Sequence, residues 1–279
     1  MTLERPAAET RFPFGDNWRR FLAVLDDHRI AESEKALAAI LGTGDLHGRS
    51  FLDIGSGSGL SSLAARRLGA RVTSFDYDPQ SVACTTELRR RYFPEDDDAS
   101  WRILQGSVLD APFLDSLGTF DVVYSWGVLH HTGDMAAALA NAAKLVAPDG
   151  LLMVAIYNDQ GWRSRAWTVI KRWYNELPPP LRFLILGPAL VRLWGPALAF
   201  DLVRGHGFRR WREYGGKRGM SAWHDVVDWV GGYPFEVAKP EVVFDFYKKR
   251  GFRLERMTTC GGKLGCNEFV FARAHPSDE

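Results

Sequence analysis

Short apolar runs alternate with stretches of helical period through the first part of the chain. SFLDI, RVTSFD, WRILQ, FDVVYSW and LLMVAIY are apolar segments of strand length. Between them, Leu60 to Leu68, Pro79 to Tyr92 and AAALANAAKLVA carry apolar residues at helical spacing. Ahead of them, Trp18 to Leu41 also has helical period, broken near Arg29 and Ile30 and stopped by Gly42 and Gly44. Strands that alternate with helices predict a doubly wound α/β fold with a mainly parallel sheet. In such sheets a ligand binds outside the carboxyl ends of the strands.

After Tyr157 the alternation stops and tryptophan accumulates. Seven of the ten tryptophans (162, 167, 173, 194, 211, 223 and 229) fall in this stretch, which also holds three consecutive prolines at 178–180. The α/β alternation then resumes with helix-like PEVVFDFYKKR and strand-like FRLERM and NEFVFAR. The last two runs enclose Gly261, Gly262 and Gly265, so they predict a closing antiparallel hairpin and bring the strand count to seven. A break followed by resumption describes an insertion into one domain. Four parts are expected: an N-terminal helical cap (1–45), a ligand-binding core (46–159), an aromatic helical lid (160–235) and the returning core (236–279).

Leu181 to Val203 is apolar enough to raise the question of a membrane. Arg182, Arg192, Asp201, Pro188 and Pro196 interrupt it, which a spanning helix tolerates poorly. The expectation is a buried or cavity-covering helical pair, with interfacial membrane contact as the alternative. The N-terminal residues MTLERPAAETRFPFG carry charge where an export signal has an apolar run. Cys84, Cys260 and Cys266 form no CxxC pair, so a reducing cytoplasm is the expected compartment. Thirty-five basic against 34 acidic residues give a net charge of +1, which argues against a broadly nucleic-acid-binding chain. The basic stretch RGHGFRRWREYGGKR (204–218) keeps RNA binding as a rival reading.

The chemistry concentrates in FLDIGSGSG. Gly55, Gly57 and Gly59 follow a strand and open a helix, where glycine permits positive φ and close backbone approach to a ligand. A dinucleotide fingerprint would place a third glycine at position 60, which is Leu60. Asp53 can accept from an ammonium or organise the loop amides. Asp76 ends the next strand, where an acid takes both hydroxyls of a ribose.

DIGSGSG, SFDYDP, FDVVYSWGVLHHTGD and LVAPDGLLMVAIYN, in that order, resemble the motifs of the class I S-adenosylmethionine-dependent methyltransferases. The nearest branch includes ubiquinone-biosynthesis O-methyltransferases and natural-product methyltransferases. The resemblance implies a Rossmann-like methyltransferase sheet and S-adenosylmethionine (SAM) as cofactor, with a small molecule as acceptor. It implies that Gly55, Ser56, Gly57 and Gly59 hold the methionine end with Asp53, that Asp76 takes the ribose, and that Tyr77, Ser107 and Val108 flank the adenine. Ser125 and Trp126 complete this cofactor set, and Arg29 stands where similar enzymes place a carboxylate-binding arginine. Asp110 is either the acid beside the adenine amine or, in the favoured reading, a helix cap for the following segment.

His130 and His131 follow the fourth strand, and histidine suits proton removal from a hydroxyl or amine acceptor. The second of the pair is the commoner base in resembling enzymes, so His131 is favoured. Tyr157, Asn158, Trp223 and Tyr233 are the expected acceptor contacts. No Asp/Asn cluster follows the fourth strand, so no metal is expected. A homodimer and a SAM-using reaction without methyl transfer stay open.

Overall fold

The computed structural model describes residues 11–216 and 222–274. Two helices come first, α1 (Phe14–Leu22) and α2 (Asp27–Leu41). The break between them lies at 23–26 and not at Arg29 and Ile30 as expected. Asp26 ends it by accepting from the Arg29 amide as N-cap, and Gly42, at φ 74°, closes α2.

The core then alternates as its apolar runs require. It comprises β1 (Ser50–Ile54), α3 (Leu60–Arg67), β2 (Arg71–Asp76), α4 (Pro79–Tyr92), β3 (Trp101–Gln105), α5 (Ala111–Asp115), β4 (Phe120–Trp126), α6 (Met135–Lys144) and β5 (Val146–Tyr157). Strands covered by helices on both faces must be apolar on both, which is why Phe51, Leu52 and Ile54 are fully buried. The loops after β2, β3 and β4 end in Asp78, Asp110 and Asp134, each of which caps the following helix with its carboxylate. The Asp110 cap agrees with the sequence reading.

The chain returns through α11 (Pro240–Lys248), β6 (Phe252–Thr258) and β7 (Cys266–Arg273). Seven strands lie in the order β3-β2-β1-β4-β5-β7-β6, with β7 antiparallel to both neighbours. The fold is the expected doubly wound sheet with its closing hairpin. Strand order reverses between β1 and β4, so a crevice opens at their carboxyl ends. Outermost β6 exposes Arg253, Glu255 and Arg256, charges that discourage pairing with another sheet.

Between β5 and α11 the chain forms α7 (Trp162–Glu176), α8 (Phe183–Val203), the short α9 (Arg209–Arg212) and α10 (Ala222–Gly231). A separate apolar cluster of Tyr174, Ala189, Val226, Val227 and Val230 joins α7, α8 and α10 to Phe12. Leu181 to Val203 departs from the expected buried pair. Its α8 portion is one continuous helix through both prolines, and only Ala189 and Asp201 within it are buried. Lys217 and Arg218 of the basic stretch lie outside the described residues, while Arg204, Arg209, Arg210 and Arg212 are exposed.

Candidate active site

The crevice at the β1/β4 switch widens into a cavity of about 1510 Å³. That exceeds the roughly 300–1,000 Å³ of an ordinary ligand site and suits two ligands side by side. One end is built by the glycine loop. Gly55 and Ser56 donate their amides to the Phe75 carbonyl at 2.8 and 3.1 Å, and the Gly57 amide donates to Asp76 Oδ2 at 2.9 Å. At Gly55 (φ 75°) a Cβ would run into Val128, and at Gly57 (φ 54°) it would lie 2.9 Å from Trp18 Nε1. Glycine is required at both positions by space as well as by backbone angle. Gly59 does different work, because a Cβ there would meet the Thr85 backbone in α4. It packs helices and does not line the cavity.

Two carboxyls stand under the loop. Asp76 accepts from the amides of Gly57 and Asp78, both at 2.9 Å, and burial pushes it up to about 6. Asp53 is held from behind by a relay that crosses the sheet. Trp101 Nε1 donates to Ser74 Oγ at 2.9 Å, and the Ser74 and Ser62 hydroxyls lie 2.7 Å apart. Ser62 Oγ donates to Asp53 at 2.5 Å. Burial raises Asp53 to about 7. Nothing in the sequence pattern points to this relay, because serines on buried strands and helices carry no periodic signal.

At the other end aromatic side chains take over. Tyr157, Trp167, Trp194 and Trp229 line the cavity with His131. His131 Nδ1 lies 2.5 Å from the Pro234 carbonyl oxygen. A carbonyl only accepts, so Nδ1 carries the hydrogen and Nε2 presents a lone pair. Burial and the nearby Lys171 cation drive His131 down to about 3, far from the ordinary histidine value that suits a base at neutral pH. His130 is fully buried, does not line the cavity, and faces the Tyr157 amide through Nδ1 at 3.4 Å. Its ring packs on Tyr157 with centroids 4.0 Å apart.

Several expected contacts lie elsewhere. Arg29 does not reach the cavity; its guanidinium is 3.7 Å from Asp26. Ser125 turns inward to the Ile54 carbonyl, and Asn158 bonds Asn267 and the Lys263 carbonyl. Trp223 is 43% exposed and lies outside the cavity, and Tyr233 gives its carbonyl to the Phe12 amide. Asp53, Gly55, Ser56, Gly57, Asp76, Tyr77, Ser107, Val108, Trp126, His131 and Tyr157 do line the cavity.

The N-terminal segment supplies lining residues that the sequence pattern did not reveal. Arg11 donates to the Thr132 carbonyl at 2.9 Å and stacks 4.8 Å over the Tyr77 ring, and Phe14 and Trp18 follow it along the wall. From α2 the stripe Ser33, Ala36, Leu37 and Ile40 faces the same space.

Lys171 of α7 is fully buried in a box of Trp229, Phe235 and Tyr157, with Nζ 4.5, 4.6 and 5.7 Å from the ring centroids. It donates to the Trp229 carbonyl. Burial pulls its ammonium from 10.5 down to about 7 against the opposing charge of Asp228. Asp228, half-buried at the cavity wall and bonded to Asn17 at 2.7 Å, is held well above the carboxylate range by its desolvation. Between about pH 7 and 10.5 the unfolded chain carries a proton on Lys171 that the folded chain lacks. Raising the pH across that window therefore stabilises the fold. Lys171→Met is expected to gain less stability than the parent between about pH 7 and pH 9 in denaturant titrations. Identical gains would remove Lys171 as the source.

Residues 52–154, which hold the glycine loop, both carboxyls and the histidine pair, match the family described as a methyltransferase domain. That match covers less than half of the chain. The chain is 28% identical over 143 residues to demethylmenaquinone methyltransferase of Tropheryma whipplei (strain Twist), covering 51% of this chain and 54% of that protein. It is 30% identical over 129 residues to ubiquinone biosynthesis O-methyltransferase of Rhodopseudomonas palustris (strain BisB5), covering 46% and 47%. The aligned part thus spans about half the length of these curated relatives. The fold is similar to that of magnesium protoporphyrin IX methyltransferase from Synechocystis PCC 6803 with bound SAH. That match has a TM-score of 0.53 at 15% identity, covering 93% of this chain and 94% of the other. The aromatic end of the cavity lies largely beyond the matched domain.

Proposed function

We propose that the chain is a SAM-dependent methyltransferase acting on a hydroxyl or amine of a small, largely apolar acceptor in the cytoplasm. The observation that carries this reading is one continuous cavity with a glycine cradle and the Asp76 carboxyl at one end and aromatic walls around His131 at the other. The cofactor fits the residues present: Gly55 and Gly57 bring bare backbone to the cavity wall, and Asp76 borders it. Bound there, SAM supplies an electrophilic methyl group.

The chain's own residues do the rest. Gly55, Ser56 and Gly57 border the methionine end, Asp76 takes the ribose hydroxyls, and Tyr77, Ser107 and Val108 flank the base. Tyr157, Trp167 and Trp229 exclude water and hold the acceptor flat. His131 Nε2 accepts a hydrogen bond from the acceptor group and orients it, while Nδ1–H stays anchored on Pro234. Held down to about 3, the imidazole is too weak a base to keep that proton. Residues 160–235 serve as the acceptor-side lid. Likeness to enzymes named for ubiquinone and menaquinone biosynthesis supports an aromatic or quinol-like acceptor.

The test supplies SAM labelled in its methyl group together with phenols, hydroquinones and aromatic amines. Labelled organic product and an equal amount of S-adenosylhomocysteine are expected. Methylthioadenosine as the sole nucleoside product would overturn the reading.

A further inference from the structure

The most apolar long element of the chain leaves most of its surface in solvent. Pro179–Val203 has a mean hydropathy of 1.6 over its most apolar window, of which only 6% is buried. Phe183, Leu184 and Val191 are 63%, 54% and 69% exposed. Exposed positions 184, 188, 191, 199 and 202 fall on one stripe of α8. The opposite side is committed. Ile185, Leu186 and Leu193 pack on the α7–α10 cluster, and Trp194 meets Trp211 and Tyr214 edge to face with centroids at 4.8 and 5.3 Å. A helix with one side locked into the protein cannot span a bilayer, but it can lie on one.

Charge supplies an independent observation. Between Trp162 and Tyr214 the sequence holds ten basic and three acidic residues, although the whole chain is nearly neutral. All three acids are matched within the segment: Glu176 by Arg172 at 2.7 Å, Asp201 by Arg210 at 3.4 Å and Glu213 by Arg209 at 2.8 Å. Asp201, the one acid in the apolar run, is turned inward and buried. The outer stripe of α8 therefore carries no acid and is flanked by exposed Arg192 on the helix itself and Arg204 at its end, with further exposed arginines in the same segment.

We propose that α8 and its arginine rim seat this protein peripherally on a bilayer that contains anionic lipid. Apolar side chains entering the headgroup boundary, ringed by guanidinium groups, match such a surface in both respects. A second copy of the chain fits it poorly, because a two-fold contact through α8 would bring two arginine-rich rims together. The same helix gives Leu193 and Trp194 to the cavity wall, so the attached surface stands one helix away from the acceptor space.

Density-gradient flotation tests this without reference to methyl transfer, so its failure would leave the proposed reaction untouched. The full chain is mixed with vesicles of phosphatidylcholine alone, or with phosphatidylglycerol included. It is expected to float only with the phosphatidylglycerol vesicles, and less as salt is added. Leu184→Glu combined with Val191→Glu, both on the exposed stripe, should lower the floated fraction about tenfold. Arg204→Glu alone should weaken it and shift its salt dependence, and unchanged circular dichroism would show that the variants are folded. Parent protein that stays at the bottom with anionic vesicles at low salt would overturn the proposal. So would acidic variants that float like the parent, or a dimer, detected by light scattering, that these substitutions dissociate while no flotation occurs.

Discussion

Alanine at position 131 is expected to lower turnover by roughly 10² while leaving affinity for S-adenosylhomocysteine within a factor of about two. The imidazole borders the acceptor end of the cavity, and its Nδ1–H is fixed on the Pro234 carbonyl, so Nε2 is the atom it presents as acceptor. Because burial and Lys171 hold it down to about 3, the acid limb of the rate profile should lie well below the roughly 6.5 of an ordinary histidine. Protonation abolishes the acceptor, so activity is present above that value and lost below it. His130→Ala should behave differently. It empties a fully buried site against Tyr157 and should lower thermal stability more than it lowers the rate per folded molecule. Stopped-flow or steady-state rates on both variants, with calorimetry for the nucleoside, separate the two roles. Parent-like turnover in His131→Ala would remove His131 from the acceptor site.

Asp76→Ala should weaken SAM and S-adenosylhomocysteine binding by about 2 kcal/mol or more, the scale of lost charge-assisted hydrogen bonds. This carboxylate does two things at once. It faces the cavity, and it holds the Gly57 and Asp78 amides, so its removal also loosens the loop that cradles the other end of the ligand. The pH dependence has a definite sign. Burial lifts Asp76 to about 6, and a protonated carboxyl loses acceptor capacity toward a diol. Affinity is therefore full above about 6 and falls as the pH drops through it. Isothermal titration of the parent across that range should show this fall, and Asp76→Ala should not. Unchanged affinity in the variant would remove Asp76 from the ribose site.

The sheet was legible because strands sandwiched between helix layers must be largely apolar on both faces, and SFLDI, FDVVYSW and LLMVAIY are. The glycine loop was legible because its backbone demands leave only one residue type. Tertiary direction was not. Arg29 lies on the same stripe of α2 as Ser33, Ala36 and Ile40, yet the cavity stops one turn short of it. The tandem Asp26 and Asp27 carried the cap signal for the α1–α2 break, which the apolar run from Leu22 to Leu25 masked. Arg11, Phe14 and Trp18 became wall residues only because the chain ahead of α1 folds back over the loop. The choice between His130 and His131 also rested on the fold, through the Pro234 carbonyl and the Tyr157 ring.

The acceptor-side insertion begins and ends at a single place. Asn158 bridges Ala238 in parallel, the Ala238 amide donates to the Tyr157 carbonyl at 2.9 Å, and the Asp159 amide returns the bond at 3.2 Å. The whole excursion from Asp159 to Val237 is thus a loop whose two ends are already stitched together at the sheet. Lengthening or shortening such a loop adds only a slowly growing closure entropy and shifts no strand register. The chain is built like a fixed socket with a separate fitting: the glycine-loop end of the cavity is locked into the ladder, and the excursion adds the aromatic wall to it as one contiguous piece.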